Sequence, residues 1–399
     1  MMTIMPTEKR EASQYIDRNT RSSFETGSED VRARCARLVE AMRPCLNATA
    51  LPVGVGEVLA ETKLIGAMIP LWLGGLGLNC VSRLLSVVET TRLSPEVGAF
   101  LQIAQLGTAT LLDFGSEPQR RQWLPRLASG ERICTLSITE EESGSNLAAC
   151  LTRYRQTESG FVLNGEKWMI GNAPIANTHA VFARDEKSGI MSMFLVDGTV
   201  GGVDNNRAHK TRGLRGFPFG GIKLTEAFVP RENLIGQLGE GQRLAHQVIA
   251  RHGRLSLTGL ALGIHQRIFE IVCDFASQRR LYGRPLSDLP DVRTRIFQIY
   301  SNLEQARSMA LRAADEERNN GRSGVLLALA KQVNSDLACK SALLGVEVFG
   351  GRSNLEEIEI GQLLLDATMT LAPSGTSDIL KKRIMEDVLN ERPIRWAAI

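Results

Sequence analysis

Cysteine is scarce in this sequence, and the few cysteines follow no binding pattern. The 399 residues include seven, an odd number with no C-x-x-C pair. This spacing excludes a disulfide framework and a cysteine metal cluster, and it favours reduced thiols in the core of a cytoplasmic protein. The five histidines also lack the spacing of metal ligands, so no metal site is predicted.

A large excess of charge of one sign is missing as well. Lys and Arg number 47 against 44 Asp and Glu, which gives a formal charge of +3, and no run of five like charges occurs. A dedicated nucleic-acid-binding protein would normally carry a basic stripe. Nucleic acid is therefore not an expected partner.

Long hydrophobic runs are absent too. The most apolar stretch, 64–78, is interrupted by Pro70 and four glycines, so it is too short and too broken to cross a bilayer. The first residues, MMTIMPTEKREASQ, lack the apolar segment of a secretory signal. No Rossmann or Walker glycine pattern and no G-x-S-x-G motif is found either. We expect no membrane association.

Three regions differ in their hydrophobic pattern. Apolar residues recur at helical spacing over about 28–128, which predicts five or six short helices. Short runs of β-type residues separated by Gly, Asn and Asp fill about 133–230, and the lack of intervening helices predicts an antiparallel or barrel-like sheet. The fold class is therefore α+β, with a helical domain at 28–130 and a β domain at 131–235.

Long amphipathic segments return in the last region. They predict helices over about 244–279, 291–320 and 324–349, and a shorter helix after Gly375. Such helices pack as a bundle, so a four-helix bundle is predicted for 236–392.

Several motifs occur in the order that this layout requires. They are FGSEPQRRQWLPRLASGE (114–131), LSITEEESGSN (136–146), VLNGEKWMIGN (162–172), LRGFPFGGIKLTEAFVPRENLIG (214–236), RRLYGRPLSD (279–288), VEVFGG (346–351) and SGTSDIL (374–380). With these motifs the sequence resembles the acyl-CoA dehydrogenase family of flavoproteins over about 28–390. The resemblance implies a bound FAD, an acyl thioester substrate on CoA or an acyl-carrier protein, and transfer of electrons to a protein acceptor or dioxygen.

The resemblance also implies roles for individual residues. The candidate cofactor-binding residues are Leu136, Ile138, Thr139, Met169, Gly171, Arg279, Tyr282, Gly350, Gly351, Thr376 and Asp378, and the candidate substrate-binding residues are Gly144, Ser145 and Arg254. Arg279 is implied to reach the FAD pyrophosphate of a neighbouring subunit, which requires a homodimer or homotetramer. Plainer interpretations stay open: local turns for Gly144 and Ser145, a solvated helix-end arginine for Arg279, and a salt bridge for Arg254.

The catalytic glutamate of the family is missing. Most members place it immediately before the Gly-Thr-Ser element, where this sequence has Ser374, and some relatives place it directly before the channel arginine, where this sequence has Gly253. Ser374 is kept as a candidate by position alone, since nothing evident lowers the pKa of its hydroxyl. Glu142 and His252 are the candidates for a relocated base. The alternative interpretations are that Glu142 is a solvated loop acid and that His252 is a packed histidine.

Gly171 is a second departure near the flavin. It stands where the family often has a threonine within bonding reach of the reactive flavin nitrogen. Two interpretations are equally open: Gly171 leaves space for dioxygen beside the flavin, or it forms a strand-end turn that requires positive φ.

Three hypotheses of function follow. The favoured one is an FAD-dependent oxidoreductase that carries out a non-standard oxidation or oxygenation (a monooxygenase reaction) of an acyl thioester in a specialised biosynthetic pathway. The second is an ordinary α,β-dehydrogenase with a relocated base. The third is a non-catalytic subunit that pairs with an active homologue.

Overall fold

The computed structural model describes residues 28–46, 54–321 and 323–390. Within them the N-terminal region contains five α-helices, as the sequence predicted. Helices α1 to α5 span Ser28–Met42, Val55–Thr62, Cys80–Leu93, Pro95–Phe114 and Glu117–Ala128. Their boundaries carry clear local signals: Asn79 accepts a hydrogen bond from the Ser82 amide at the start of α3, and Ser116 and Gln119 form a reciprocal capping box at the start of α5.

Helix α4 is the central helix of this region. It is long and apolar enough to cross a membrane, yet 78% of its apolar window is buried within this protein, which is typical of a core helix. It packs against α3 and against the first strand of the sheet. Gly107 makes the second contact possible, because a Cβ there would lie 2.1 Å from the Cys134 carbonyl oxygen. The six cysteines whose side chains the structure describes are free thiols.

The middle region forms one eight-stranded sheet. Strands β1 to β8 span Cys134–Ser137, Arg153–Gln156, Gly160–Gly171, Thr178–Asp185, Met191–Asp197, Val203–Ala208, Phe219–Pro230 and Leu234–Ile235. The order is β6-β7-β3-β2-β4-β5-β8, with β1 beside β4. Most pairs are antiparallel as predicted, but β1–β4 and β2–β4 are parallel. The segments between these strands are long enough to return the chain to the starting end, which a parallel pair requires.

The C-terminal region is helical, as predicted. Helices α6 to α11 span Gly241–Val248, Arg254–Gln278, Pro290–Asn320, Gly324–Phe349, Glu359–Thr368 and Ser377–Asn390, and a small hairpin pairs β9 (Arg280–Leu281) with β10 (Arg284–Pro285). The sequence predicted one continuous helix over 244–279, but a π-helical turn at Ile249–Gly253 separates α6 from α7. Helix α10 was not predicted. It packs on α7 and α9 next to the bundle.

Candidate active site

The two positions at which the family carries its catalytic glutamate face each other. A Cβ built on Gly253 would lie 2.8 Å from Oγ of Ser374. Gly253 ends the π turn, and Ser374 lies in the loop before α11, where it has a left-handed φ of 57°. The structure thus brings the two sequence-predicted positions into one place, and neither supplies a carboxylate.

His252, a candidate base, is buried between two charged side chains. Its Nδ1 lies 2.7 Å from Nη1 of Arg83, and its Nε2 lies 2.7 Å from Oδ2 of Asp113. Because the guanidinium must donate, Nδ1 accepts and the proton sits on Nε2, which donates to Asp113. Burial lowers the pKa of His252, which favours the neutral ring. Both ring nitrogens are occupied, so the geometry favours the packed histidine over a base.

Glu142, the other candidate base, lies at the exposed tip of a tight turn. Backbone amides and carbonyls of Glu140 and Ser143 bond each other across this turn, at 2.9 and 3.2 Å, and leave Glu142 in solvent. Gly144 and Ser145 follow it and are also exposed. The structure therefore favours the solvated loop acid for Glu142, and it leaves the substrate roles of Gly144 and Ser145 as predictions.

The segment 136–139 is held from behind by a buried ion pair that the sequence analysis missed. Nζ of Lys167 lies 2.7 Å from Oε1 of Glu140 and donates to the Ile138 carbonyl at 3.2 Å. Burial alone would raise the pKa of Glu140, but the Lys167 charge and the hydrogen bonds from 151–152 overcome it and lower the pKa to about 2. The sequence carried one signal: a lysine inside a strand of otherwise buried residues needs a partner.

The front of the same segment is suited to a flavin ring. The Trp168 amide donates to the Thr139 carbonyl at 2.8 Å, which joins the segment to β3. Beside this bond Met169 is 57% exposed at a left-handed φ of 55°. The Thr139 hydroxyl makes no hydrogen bond among the described residues. Leu136 is half-buried and Ile138 is buried. An exposed apolar side chain beside an unused hydroxyl fits a ring that has an apolar face and a polar edge.

Gly171 has neither of the two properties considered from the sequence. A Cβ there would lie 2.8 Å from Cγ1 of Ile103 and 2.8 Å from Cζ of Phe217, so no free space exists at this point. Its φ is not positive; the left-handed residue is the next one, Asn172, with φ of 63°. Both interpretations were wrong. A larger residue here would push against side chains of α4 and of the loop before β7, which would have to shift to admit it.

Four of the residues predicted to contact the cofactor, namely Arg279, Tyr282, Gly350 and Gly351, lie at one end of the bundle, while Thr376 and Asp378 lie where α11 begins. The rings of Phe275 and Phe349 stack with their centroids 4.1 Å apart and join the ends of α7 and α9. The segments that follow these two ends, with Arg279 and with the Gly350–Gly351 pair, therefore begin close together. Arg279, Tyr282, Gly350 and Gly351 are exposed. Oγ1 of Thr376 accepts a weak bond from the Ile379 amide, and exposed Asp378 pairs with Lys381. These cofactor contacts stay predictions.

A cavity of about 590 Å³ opens beside the π turn. It is lined by Leu112, Asp113, Phe114, Arg120, Gln247, Ala250, Arg251, Glu317, Gly321, Gly324 and Leu327. Arg251 forms an ion pair with Glu317, whose second oxygen accepts from the Ser323 hydroxyl at 2.6 Å. The cavity thus lies between the C-terminal end of α4, the π turn and the α8–α9 connection, within one turn of Gly253.

Two buried cations lie beyond this cavity. Arg254 begins α7, is 5% exposed and donates to the Gly324 carbonyl at 3.3 Å, which is not the salt bridge considered from the sequence. Lys331, which the sequence analysis missed, donates to the carbonyls of Leu371 and Gly375 at 2.7 and 2.9 Å. Lys331 therefore fixes the loop that presents Ser374.

Comparisons with known proteins agree with this architecture. Family models for the N-terminal, middle and C-terminal domains of acyl-CoA dehydrogenases match residues 25–131, 135–227 and 239–389. An acyl-CoA dehydrogenase of Bacillus subtilis (strain 168) is 31% identical over 342 residues, which cover 85% of this chain and 90% of that protein. The chain belongs to the acyl-CoA dehydrogenase family. Its members are FAD-dependent oxidoreductases, so the predictions of family, fold, enzyme class and FAD are confirmed.

Two solved structures show how widely this fold is used. PigA, solved with FAD and proline, superimposes with a TM-score of 0.82 at 23% identity, over 92% of this chain and 98% of that one. FkbI, described as serving biosynthesis of the methoxymalonyl extender unit of the polyketide Fk520, gives a TM-score of 0.82 at 22% identity, over 90% and 100%. At these identities the likeness concerns the fold.

Proposed function

We propose that this enzyme uses FAD to oxidise an acyl thioester whose α-proton leaves without a protein glutamate, in a specialised biosynthetic pathway outside ordinary β-oxidation. The observation that carries the proposal is the facing pair Gly253 and Ser374, where both usual positions of the base lack a carboxylate. A substrate whose α-carbon is acidified by a second carbonyl or a ring would need little help from a base.

The chain supplies orientation and the exclusion of water. FAD, when bound, accepts the electrons of the oxidation. Thr139 and Met169, with Leu136 and Ile138, would hold the flavin ring. The Glu140–Lys167 ion pair keeps that segment rigid, because a buried pair with this many hydrogen bonds has one favoured arrangement.

The thioester would enter through the cavity beside the π turn. Its volume of about 590 Å³ suits a flexible chain, and the exposed turn with Gly144 and Ser145 would contact the carrier. The carrier is CoA or an acyl-carrier protein. We propose a homodimer or homotetramer, because Arg279 and Tyr282 are exposed at the end of the bundle where a second subunit's cofactor would be contacted. The six free thiols support a location in the cytoplasm.

The electron acceptor is an electron-transfer protein or dioxygen. The packing around Gly171 does not support the oxygenase version of the proposal, since Ile103 and Phe217 occupy the space that dioxygen would need there. Oxidation without incorporation of oxygen is therefore favoured.

The visible spectrum of the purified protein tests the proposal. It is recorded anaerobically before and after a panel of acyl thioesters is added, and the products are then analysed for incorporated oxygen. Bleaching of the flavin band by a thioester, without oxygen in the product, is expected. Rapid turnover of simple saturated acyl-CoAs would point instead to a dehydrogenase with a relocated base. A purified protein without flavin would favour the non-catalytic subunit.

A further inference from the structure

Cys150 lies in a buried cluster with a lysine, a glutamate and a threonine. Its Sγ is 3.5 Å from Nζ of Lys167, and its thiol donates to Oε1 of Glu140 at 3.1 Å. The Thr152 hydroxyl donates to the same carboxylate oxygen at 2.6 Å. Cys150 and Lys167 are both fully buried. The sulfur and the nitrogen are therefore in direct contact, with no room for water between them.

The Lys167 ammonium has three protons and three partners. Two partners are oxygens: the Ile138 carbonyl at 3.2 Å and Oε1 of Glu140 at 2.7 Å. The third partner is the Cys150 sulfur. Among the cysteines that the structure describes, only Cys150 contacts a lysine nitrogen. The cluster thus brings together an amine, a thiol and a carboxylate that can take up a proton.

The thiol is protected from large reagents but lies under a thin cover. Burial raises the pKa of Cys150 to about 11, although the Lys167 charge opposes the rise, so the thiol is protonated at neutral pH. Its proton already points to Glu140. The next residue, Leu151, is 56% exposed, and the turn with Glu142 lies in solvent. Hydrogen peroxide is small and uncharged, so it is suited to pass this cover.

We propose that hydrogen peroxide joins Cys150 to Lys167 through a covalent sulfur–oxygen–nitrogen bridge. One peroxide converts the thiol to a sulfenic acid and water. A second converts the amine to a hydroxylamine and water, after the ammonium has passed a proton to Glu140. The S–OH and N–OH groups then condense and release a third water. Sulfur and nitrogen each lose two electrons, which the two peroxides take up.

The bridging oxygen suits the observed separation of the two atoms. A direct sulfur–nitrogen bond would require them to close from 3.5 Å to less than the ~2 Å of a disulfide bond. An interposed oxygen requires a smaller movement. Peroxide is also an oxidant that a flavoprotein meets, because dioxygen that takes two electrons and two protons from a reduced flavin yields it.

The bridge removes the charge that holds the segment 136–139 from behind. Bridged Lys167 is no longer an ammonium, so its bonds to the Ile138 carbonyl and to Glu140 are weakened. Without the Lys167 charge, burial raises the pKa of Glu140, which keeps the proton that it received. Oxidation therefore loosens the segment whose front is predicted to hold the flavin ring. This redox site goes beyond the proposed function, and it needs no thioester.

Mass spectrometry of the peroxide-treated holoenzyme tests the bridge. One oxygen is gained and two hydrogens are lost, so the chain should become heavier by about 14 Da. Trypsin does not cleave after a bridged lysine, so the digest should contain peptides 133–153 and 156–184 joined to each other. Fragment ions should place the link at Cys150 and Lys167. Dithiothreitol should reverse the change and restore the thiol and the amine.

C134S is the matched control for C150S. Cys134 belongs to the same tryptic peptide and is also buried, but it donates to the Thr135 carbonyl, at 3.6 Å. C134S should form the bridge to the wild-type extent, and C150S, which keeps a small donor beside Glu140, should form none. Peroxide should increase the rate of FAD release at least ~10-fold in the wild-type protein and in C134S, but not in C150S, because loss of one partner strongly destabilises a buried ion pair.

Each other outcome overturns a stated part of this inference. Cys150 that stays a thiol, or that becomes only a sulfinic acid, overturns the bridge. A loss of about 2 Da in a linked Cys150–Lys167 product would mean a direct sulfur–nitrogen bond and overturn the bridging oxygen. A bridge that leaves FAD release unchanged would overturn its action on the flavin segment. No thioester is present in these experiments, so the proposed function stands or falls separately.

Discussion

Gly253 and Ser374 meet so closely that a single added carbon on Gly253 would lie 2.8 Å from the serine hydroxyl. The two positions are 121 residues apart in the sequence, yet they share one small volume next to the buried cations Arg254 and Lys331. A glutamate at either position would serve the same reaction site. Because neither position carries a glutamate, this site lacks the carboxylate that either one would supply.

S374E should restore a base at this site. The new carboxylate would lie beside Gly375, near the Lys331 ammonium, which would keep it ionised. General-base catalysis contributes roughly 10²–10⁴-fold, so the rate of flavin reduction by pentanoyl-CoA should rise at least ~10-fold. Stopped-flow absorbance under anaerobic conditions measures this rate.

S374Q is the matched control for that experiment. It has nearly the same shape as the glutamate variant but cannot accept a proton at neutral pH, so its rate should stay at the wild-type level. Equal rates in S374E and S374Q would show that the missing carboxylate does not limit the reaction. The left-handed φ of 57° at this position is common to both variants.

His252 should prove structural. In H252A the buried Arg83 guanidinium and the Asp113 carboxylate lose the ring that joins them, so the free energy of unfolding should fall by about 3–5 kcal/mol. Urea denaturation measures this loss. The pH profile of turnover in the folded fraction should keep its wild-type shape, because neutral His252 already has both nitrogens bonded.

E142Q provides the comparison with the second candidate base. Glu142 is exposed at the tip of its turn, so its loss should change kcat by less than about threefold, whereas loss of a general base lowers the rate by roughly 10²-fold or more. A drop of that size in E142Q would contradict the solvent-exposed position of Glu142 and would show that Glu142 acts as the base.

The sequence predicted the layout of the fold well because periodicity reports which face of an element is buried. The helix predicted at 324–349 was found as Gly324–Phe349, and the one at 291–320 as Pro290–Asn320. The π turn at Ile249–Gly253 was not predictable, since the same apolar spacing continues through it. Within this turn His252 bonds Arg83 and Asp113 from other helices, and Gly253 lies against Ser374.

The candidate site was only partly predictable. The resemblance located the two empty base positions, but it gave no sign of the other residues around them. Arg83 and Asp113 come from different helices and meet at His252, and Lys331 binds the loop before α11, only in the folded chain. Gly171 was misread because a glycine in a sequence does not reveal what packs against it.

The packing at Gly171 can be tested by a double-mutant cycle. G171A should lower the free energy of unfolding by about 1–3 kcal/mol, because the added methyl group would overlap Ile103 and Phe217. In the I103A background, which leaves room for the added methyl group, G171A should lower the free energy of unfolding by less than it does in the wild-type protein. Strictly additive effects in thermal or urea unfolding would mean that Ile103 does not occupy the space beside residue 171.

A pH-dependent contribution to stability is expected from Asp366 on α10. Its Oδ1 accepts from the Leu214 amide and from Nε2 of Gln362, both at 2.6 Å, and so joins α10 to the loop before β7. Burial raises the pKa of Asp366 to about 7, although these two hydrogen bonds oppose the rise. The folded state therefore holds this proton more tightly than the unfolded chain does. The stability gained from protonated Asp366 is fully present below about pH 4 and is lost as the pH rises through 7.

D366N removes the titration and keeps an oxygen acceptor for the Leu214 amide. Between pH 5 and pH 8 the wild-type protein should lose stability relative to D366N, by at most about 1.4 kcal/mol for each unit by which the pKa is raised. Urea midpoints of both proteins, measured at half-unit steps of pH, give the difference curve. A flat difference curve would show that Asp366 stays ionised throughout, held so by the Leu214 amide and Gln362 despite its burial.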